Sequence, residues 1–262
     1  MNATGKPLAL ITGASGGIGL AIARLLAAAG HDLILVARSG DKLAALAAEL
    51  KTTHGSLATV LSADLADPAA PAVLAAEIAS RQLTVDVLVN NAGVGAYGPF
   101  ASNAWERERD MIQLNVVSLV DLTKRLLPGM VARGRGRILN VASTAAFVPG
   151  PLMVIYYASK AFVLSFSEAL GNELEGSGVT VTALCPGPTA TGFEAAADLG
   201  AARLFRMGTM SMESVARSGV DAMLRGQAVV IPGVRNWLMI QSLRFSPRFA
   251  VRRVVRWIQE RA

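Results

Sequence analysis

Tyr156 and Lys160 lie four residues apart, and Ser143 stands thirteen residues before Tyr156. A helix through the pair places both side chains on one face. A carbonyl that accepts hydride develops negative charge on its oxygen, so a catalyst must deliver a proton and a polarising hydrogen bond to one point. A phenol does this only when retuned: its ordinary pKa is about 10, and a nearby ammonium favours the phenolate. Lys160 is spaced to act on Tyr156 in this way. Near the N-terminus, Thr12-Gly13-Ala14-Ser15-Gly16-Gly17-Ile18-Gly19 adds a loop suited to phosphate. Together these residues predict a reductase.

Such a constellation needs a scaffold. Apolar runs of strand length occupy residues 8–12, 33–37, 57–62, 85–90, 138–142, 179–186 and 228–231. Helical stretches alternate with them at 17–29, 41–53, 68–81, 104–133, 156–176 and 212–226, bounded by glycine, proline or cap-type residues. Near-continuous apolar strands joined by helices predict an α/β fold, a doubly wound parallel sheet with helices on both faces. Ligands bind such sheets at the strand C-terminal ends, and most of the candidate residues fall there. Residues 1–234 are expected to form one Rossmann-like domain, with residues 235–262 as a C-terminal extension.

After the first strand, Gly13, Gly17 and Gly19 let the backbone turn tightly and approach a pyrophosphate, whose charge would meet the N–H groups opening the next helix. The spacing is not G-x-G-x-x-G. At the end of the second strand, Arg38 stands where a carboxylate would bind the ribose diol of NAD; arginine there suits a 2′-phosphate, with Ser39 and Lys42 as nearby donors. NADP(H) is therefore expected over NAD(H).

Other chemistries are poorly served. His31, His54 and the single Cys185 have no metal-ligand spacing, and His31 reads as a solvated turn residue. One cysteine makes no internal disulfide, which suits a reducing cytoplasm. No signal-peptide pattern opens the chain, and the longest uncharged window, 138–159, contains Pro149, Gly150, Pro151, Asn140 and Ser143, against a membrane span. From Arg235 onward seven arginines face one glutamate, while the rest of the chain balances to zero, so the formal charge of +6 belongs to the tail. A general nucleic-acid-binding surface is not supported.

With these motifs in view, the chain resembles the short-chain dehydrogenase/reductase family over about residues 7–232. The resemblance rests on the Thr12–Gly19 loop, Asp64-Leu65, Asn90-Asn91-Ala92-Gly93, Asn115, Ser143, Tyr156-Tyr157-Ala158-Ser159-Lys160, and Pro186-Gly187 followed by Thr191. It implies that Tyr156 is the general acid, that Ser143 holds the substrate oxygen, that Lys160 binds the nicotinamide ribose and lowers the tyrosine pKa, and that Asn115 anchors a relay water. It further implies a cofactor site built from Gly13, Ser15, Gly16, Gly17, Ile18, Gly19, Arg38, Asp64, Leu65, Asn91, Ala92, Gly93, Tyr156, Lys160, Pro186, Gly187, and Thr189 or Thr191. Tyr157 is read as a helix-packing neighbour. Relatives usually pair through their two long helices, here 104–133 and 156–176, which implies a homodimer or homotetramer.

Segments 94–100 and 145–153 and the stretch from Phe193 are apolar or small, which suits an apolar ketone or secondary alcohol, lipid-like, steroid-like or acyl. Residues 189–208, with Ala195 to Ala197, Leu199, Leu204, Phe205 and Met207, would form a greasy lid by the resemblance. From Ser246-Pro247 the tail reads as a helix, with Ala250, Val251, Val254, Val255, Trp257 and Ile258 on one side and Arg248, Arg252, Arg253 and Arg256 on the other. That pattern fits an anionic membrane surface, a cover for the pocket mouth, or docking on its own or a partner's core. The readings competing with an enzyme are an idle dinucleotide sensor and a membrane-recruited interaction protein.

Overall fold

The computed structural model of the chain describes residues 5–193, 197 and 208–260. Seven parallel strands form one sheet: β1 (Leu8–Thr12), β2 (Asp32–Ala37), β3 (Ala58–Ser62), β4 (Val87–Asn90), β5 (Gly136–Val141), β6 (Val179–Leu184) and a last short strand, β9 (Val229–Val230). Their order is β3-β2-β1-β4-β5-β6-β9, so the direction of winding reverses between β1 and β4. A separate two-stranded pair, β7 (Thr189–Ala190) with β8 (Met210–Ser211), follows β6.

The sheet is covered on both faces, and the period-two alternation along its strands sorts their side chains. Ala9, Ile11, Leu33, Leu35, Val87, Val89, Leu139 and Leu184 point to one side, against α1 (Gly17–Ala28), α2 (Gly40–His54) and α7 (Met212–Leu224). Leu8, Leu10, Ile34, Val36, Leu88, Ile138 and Val181 point to the other, against α3 (Ala70–Ser80) and α5 (Ser118–Ala132). On that second side α6 (Val154–Glu173) sets Val163 and Leu164 against Ala183 and Cys185.

Three features depart from the sequence expectation. The helix expected over 104–133 is α4 (Trp105–Ile112), a π-helical segment (Gln113–Val117) and α5, so the widened turn falls on Asn115. An additional helix, α8 (Val234–Ser242), precedes the tail helix α9 (Arg248–Gln259). His31, expected in solvent, is buried with Nδ1 3.2 Å from the carbonyl of Leu26, and burial lowers its pKa. Its backbone follows the turn that ends α1, and the ring folds back over that helix end. Among the described residues no helix is long and apolar enough to cross a membrane.

Candidate active site

The loops leaving β1 and β4 are clasped by two side chains. The hydroxyl of Thr12 donates to Val89 O (3.2 Å) and accepts from the backbone N–H groups of Asn91 and Ala92, each at 3.0 Å. The Asn91 amide donates back to Thr12 O (2.9 Å) and Gly13 O (3.2 Å). This clasp closes the point where the winding reverses. Gly13 and Gly17 adopt φ of 68° and 56°, which a side chain rarely tolerates. A Cβ on Gly19 would stand 2.4 Å from both Gly13 O and Asn91 Nδ2. A Cβ on Gly16, by contrast, would meet nothing within 4 Å, so the N-terminus of α1 opens outward. No acidic residue occupies the first turn of α1 and no side chain caps it, which leaves its N–H groups and positive dipole end for an anion. Ser15 and Ile18 are half-buried in this turn, and Ile18 packs on the core. The methyl of Thr191 lies 3.3 Å from where a Gly17 Cβ would stand, so the segment after β7 forms the opposite wall.

The adenosine-side candidates sit at the ends of β2 and β3. Arg38 Nη1 lies 3.9 Å from Asp64 Oδ2, both side chains being largely exposed. Asp64 Oδ1 accepts from Ala66 N at 3.0 Å, and Leu65 is buried with its carbonyl accepting from Ser118 Oγ at 2.6 Å. Pro186 O accepts from Thr144 N at 2.9 Å, and Thr189 Oγ1 donates to Gly187 O at 2.9 Å. Gly187 is needed for contact: a Cβ there would stand 2.6 Å from Asn236 Nδ2, a residue of α8 absent from the sequence-based set.

Ser143, Tyr156, Lys160 and Asn115 converge. Ser143 follows β5; its Oγ accepts from Ala145 N (3.1 Å) and shares a side-chain hydrogen bond with Tyr156 in the first turn of α6. Lys160 Nζ donates to Val141 O (2.8 Å) and lies 5.9 Å from the centre of the Tyr156 ring. Asn115 Oδ1 accepts from Val94 N at 3.0 Å, while its Nδ2 donates to Val94 O (2.9 Å) and Ser159 Oγ (3.1 Å). A Cβ on Gly93 would stand 3.2 Å from Asn115 Oδ1 and 3.3 Å from Lys160 Nζ, so the missing side chain leaves both groups facing one space.

The electrostatics differ from the simple expectation for Tyr156. Burial pushes its phenol up to about 12, against the lowering effect of the Ser143 hydrogen bond. Burial also draws Lys160 down to about 8. Desolvation acts on both groups of the pair, and the ammonium is engaged by Val141 O instead of the phenol oxygen. The phenol therefore stays protonated in this arrangement.

Around Tyr156 lies an apolar cluster of Tyr97, Ala145, Val148, Met153, Phe193 and Val255. The Phe193 and Tyr156 rings stand 5.3 Å apart. Tyr157 is buried in the same cluster, its ring edge-on to that of Tyr156 with centroids 6.0 Å apart; a Cβ on Gly150 would collide with that ring, and its hydroxyl accepts from Gln259 Nε2. The packing role expected of Tyr157 is what the geometry gives it, and Gln259 was not foreseen. Of the expected lid, residues 194–196 and 198–207, including Leu199, Leu204, Phe205 and Met207, lie outside the described residues.

Comparison with known proteins bears on the whole arrangement. The family model described as short chain dehydrogenase matches residues 7–201. The ketoacyl reductase HetN of a Nostoc species is 33% identical over 261 residues, covering 97% of this chain and 89% of the relative. A very-long-chain 3-oxoacyl-CoA reductase of Phaeosphaeria nodorum is 41% identical over 177 residues, 66% of this chain, which spans about half (52%) of that relative. A short-chain dehydrogenase from Sphingobium yanoikuyae in complex with NADPH superposes with a TM-score of 0.82 at 35% identity, covering 91% of this chain and 94% of the other.

Proposed function

Because the chain belongs to the short chain dehydrogenase family and is an NAD(P)-dependent ketone reductase, we propose that it uses NADPH to reduce an apolar, lipid-like ketone, with 3-oxoacyl chains the leading candidates. The observation that carries this reading is the meeting of Ser143, Tyr156 and Lys160 beside an apolar wall, on the same sheet edge as a glycine turn whose helix N-terminus is open and uncapped. When bound, the nicotinamide would supply the hydride. Ser143 and Tyr156 would grip the carbonyl oxygen, and Tyr156 would release its proton to the alkoxide formed there. A phenol held at about 12 is protonated throughout the neutral range and still far more acidic than an alcohol, the form needed to give a proton to the alkoxide. Lys160 and Asn115, facing the same space beside Gly93, would bind the ribose and hold the relay water that returns the proton.

Arg38 would select the phosphorylated cofactor from its exposed place at the end of β2, exchanging its distant Asp64 partner for a 2′-phosphate. The substrate's apolar part would lie against Tyr97, Val148, Met153 and Phe193. The names of the two relatives, a ketoacyl and a 3-oxoacyl-CoA reductase, support an acyl substrate. Self-association through α4–α5 and α6 would cover the exposed Trp105, Val131, Val154 and Phe162.

The test is NADPH oxidation with a panel of 3-oxoacyl thioesters and bulky ketones, wild type against Tyr156→Phe. The substitution should cut turnover about 10²–10⁴-fold with cofactor binding retained. Absence of turnover with every member of the panel would sink the proposal.

A further inference from the structure

The protein body covers only part of the apolar side of α9. Val251, Val255, Ile258 and Gln259 are at least partly buried, whereas Val254 and Trp257 remain about half exposed at 54% and 55%. The preceding α8 behaves alike: Ile240 is buried and Asn236 packs beside Gly187, while Val234, Trp237, Leu238 and Met239 are exposed. Phe245, in the turn between the two helices, is 89% exposed, and Phe249, in the first turn of α9, is 57% exposed. Among the described residues, eight of the seventeen exposed large hydrophobic side chains fall within residues 234–257. Single exposed apolar residues are ordinary, but such a concentration on one stretch of chain is not.

The charge on this stretch is equally uneven. Arg235, Arg244, Arg248, Arg252, Arg253 and Arg256 are all exposed and interleave with those apolar side chains. Arg253 lies 5.9 Å from the Phe249 ring, and Arg256 pairs with Glu260, the one acidic residue of the tail, at 3.3 Å. Large aromatics flanked by arginine guanidinia match the acyl–headgroup boundary of an anionic bilayer, where the apolar groups leave water and the cations meet lipid phosphates. A second copy of the chain would bring the same excess of positive charge to the contact. We propose that the outer surface of α8, the Leu243–Phe245 turn and α9 is a peripheral docking face for an anionic lipid bilayer. The inner side of the same helix sets Val255 into the apolar cluster around Tyr156, so docking places the pocket wall at the membrane surface.

The full-length protein should co-sediment with vesicles of phosphatidylcholine mixed with phosphatidylglycerol at least about tenfold more than with phosphatidylcholine alone, and added salt should weaken the binding. Its tryptophan emission should shift to the blue on binding. Phe245→Ser/Phe249→Ser and Arg252→Glu/Arg253→Glu should each reduce recovery with vesicles several-fold while turnover of a water-soluble ketone stays unchanged. Equal recovery in the supernatant with both lipids would overturn the proposal, as would binding that neither variant weakens. A solution dimer that Phe245→Ser/Phe249→Ser dissociates would assign the face to a second copy and overturn it too. None of these outcomes depends on knowing the physiological ketone.

Discussion

The side-chain amide of Gln259, in the last turn of α9, donates a hydrogen bond to the hydroxyl of Tyr157, the immediate neighbour of Tyr156 in α6. A residue at the end of the basic tail is thus wired to the helix that presents the proton donor. The bond is buried, and the Gln259 Oε1 atom beside it has no hydrogen-bond partner of its own. Removing the amide leaves a buried phenol unsatisfied, which costs about 1–3 kcal/mol. Gln259→Leu should therefore lower the midpoint of thermal unfolding by several degrees. Because Val255 lines the same cluster, the variant should also raise KM for an apolar ketone more than for a small soluble one. Identical KM ratios in the two proteins would show that the tail has no hold on the substrate side.

Lys160 provides a test through pH. Its folded-state pKa of about 8 lies below the ordinary 10.5, so between these values the unfolded chain binds a proton that the folded protein does not. Stability must then rise with pH through this window, the reverse of a lysine held by a carboxylate. Tyr156, raised to about 12, and Cys185, raised from 9 to about 12, work in the opposite sense above their ordinary values. The clean observable is therefore the difference between wild type and Lys160→Met in denaturant titrations. That difference should move in favour of the wild type by on the order of 2–3 kcal/mol between pH 8 and 10.5. A flat difference would mean that the ammonium is not desolvated as its surroundings indicate.

The strands were readable because a parallel sheet buried on both faces demands long apolar runs, and β1 spans the expected residues 8–12. The Ser143, Tyr156 and Lys160 spacing was readable because a strand end and one helix turn fix the relative positions of all three. What escaped was set by tertiary contact. Asn115 sits in a π-helical segment that leaves the apolar rhythm of 104–133 almost unchanged, so its widened turn had no local signal. Gln259 follows a run rich in arginine and falls on their side of the helix, where periodicity predicts solvent; Tyr157, distant in sequence, buries it. Asp64 could be seen at the end of β3, but its approach to Arg38 depends on the register of β2 with β3, where Ala37 pairs with Ser62.

Asn115 ties the loop after β4 to α6. It holds both backbone groups of Val94 and the hydroxyl of Ser159, which itself donates to Tyr156 O at 2.7 Å. Asn115→Leu should destabilise the fold by about 1–3 kcal/mol, because Val94 N and O lose their side-chain partner in a part-buried place. It should also lower kcat with little change in NADPH affinity measured by fluorescence, since the residue acts behind the reacting oxygen. If affinity falls as far as kcat does, Asn115 supports the cradle and not the proton path.

The last prediction concerns cofactor choice. Arg38 is largely exposed, and its 3.9 Å approach to Asp64 is too long for a hydrogen bond, so the pair contributes little to stability. The guanidinium can turn to a 2′-phosphate at small cost, and a charge-assisted hydrogen bond is worth about 1.5–3 kcal/mol. Exposure and salt screening place the effect toward the lower end. Arg38→Gln should therefore raise KM for NADPH roughly tenfold while leaving KM for NADH nearly unaltered, and the effect should shrink as ionic strength rises. Arg38→Asp should go further and reverse the preference, because a carboxylate there repels the phosphate and accepts from the ribose diol. Parallel losses for both cofactors in Arg38→Gln would place the discrimination elsewhere, with Ser39 and Lys42 at the start of α2 the next donors to substitute.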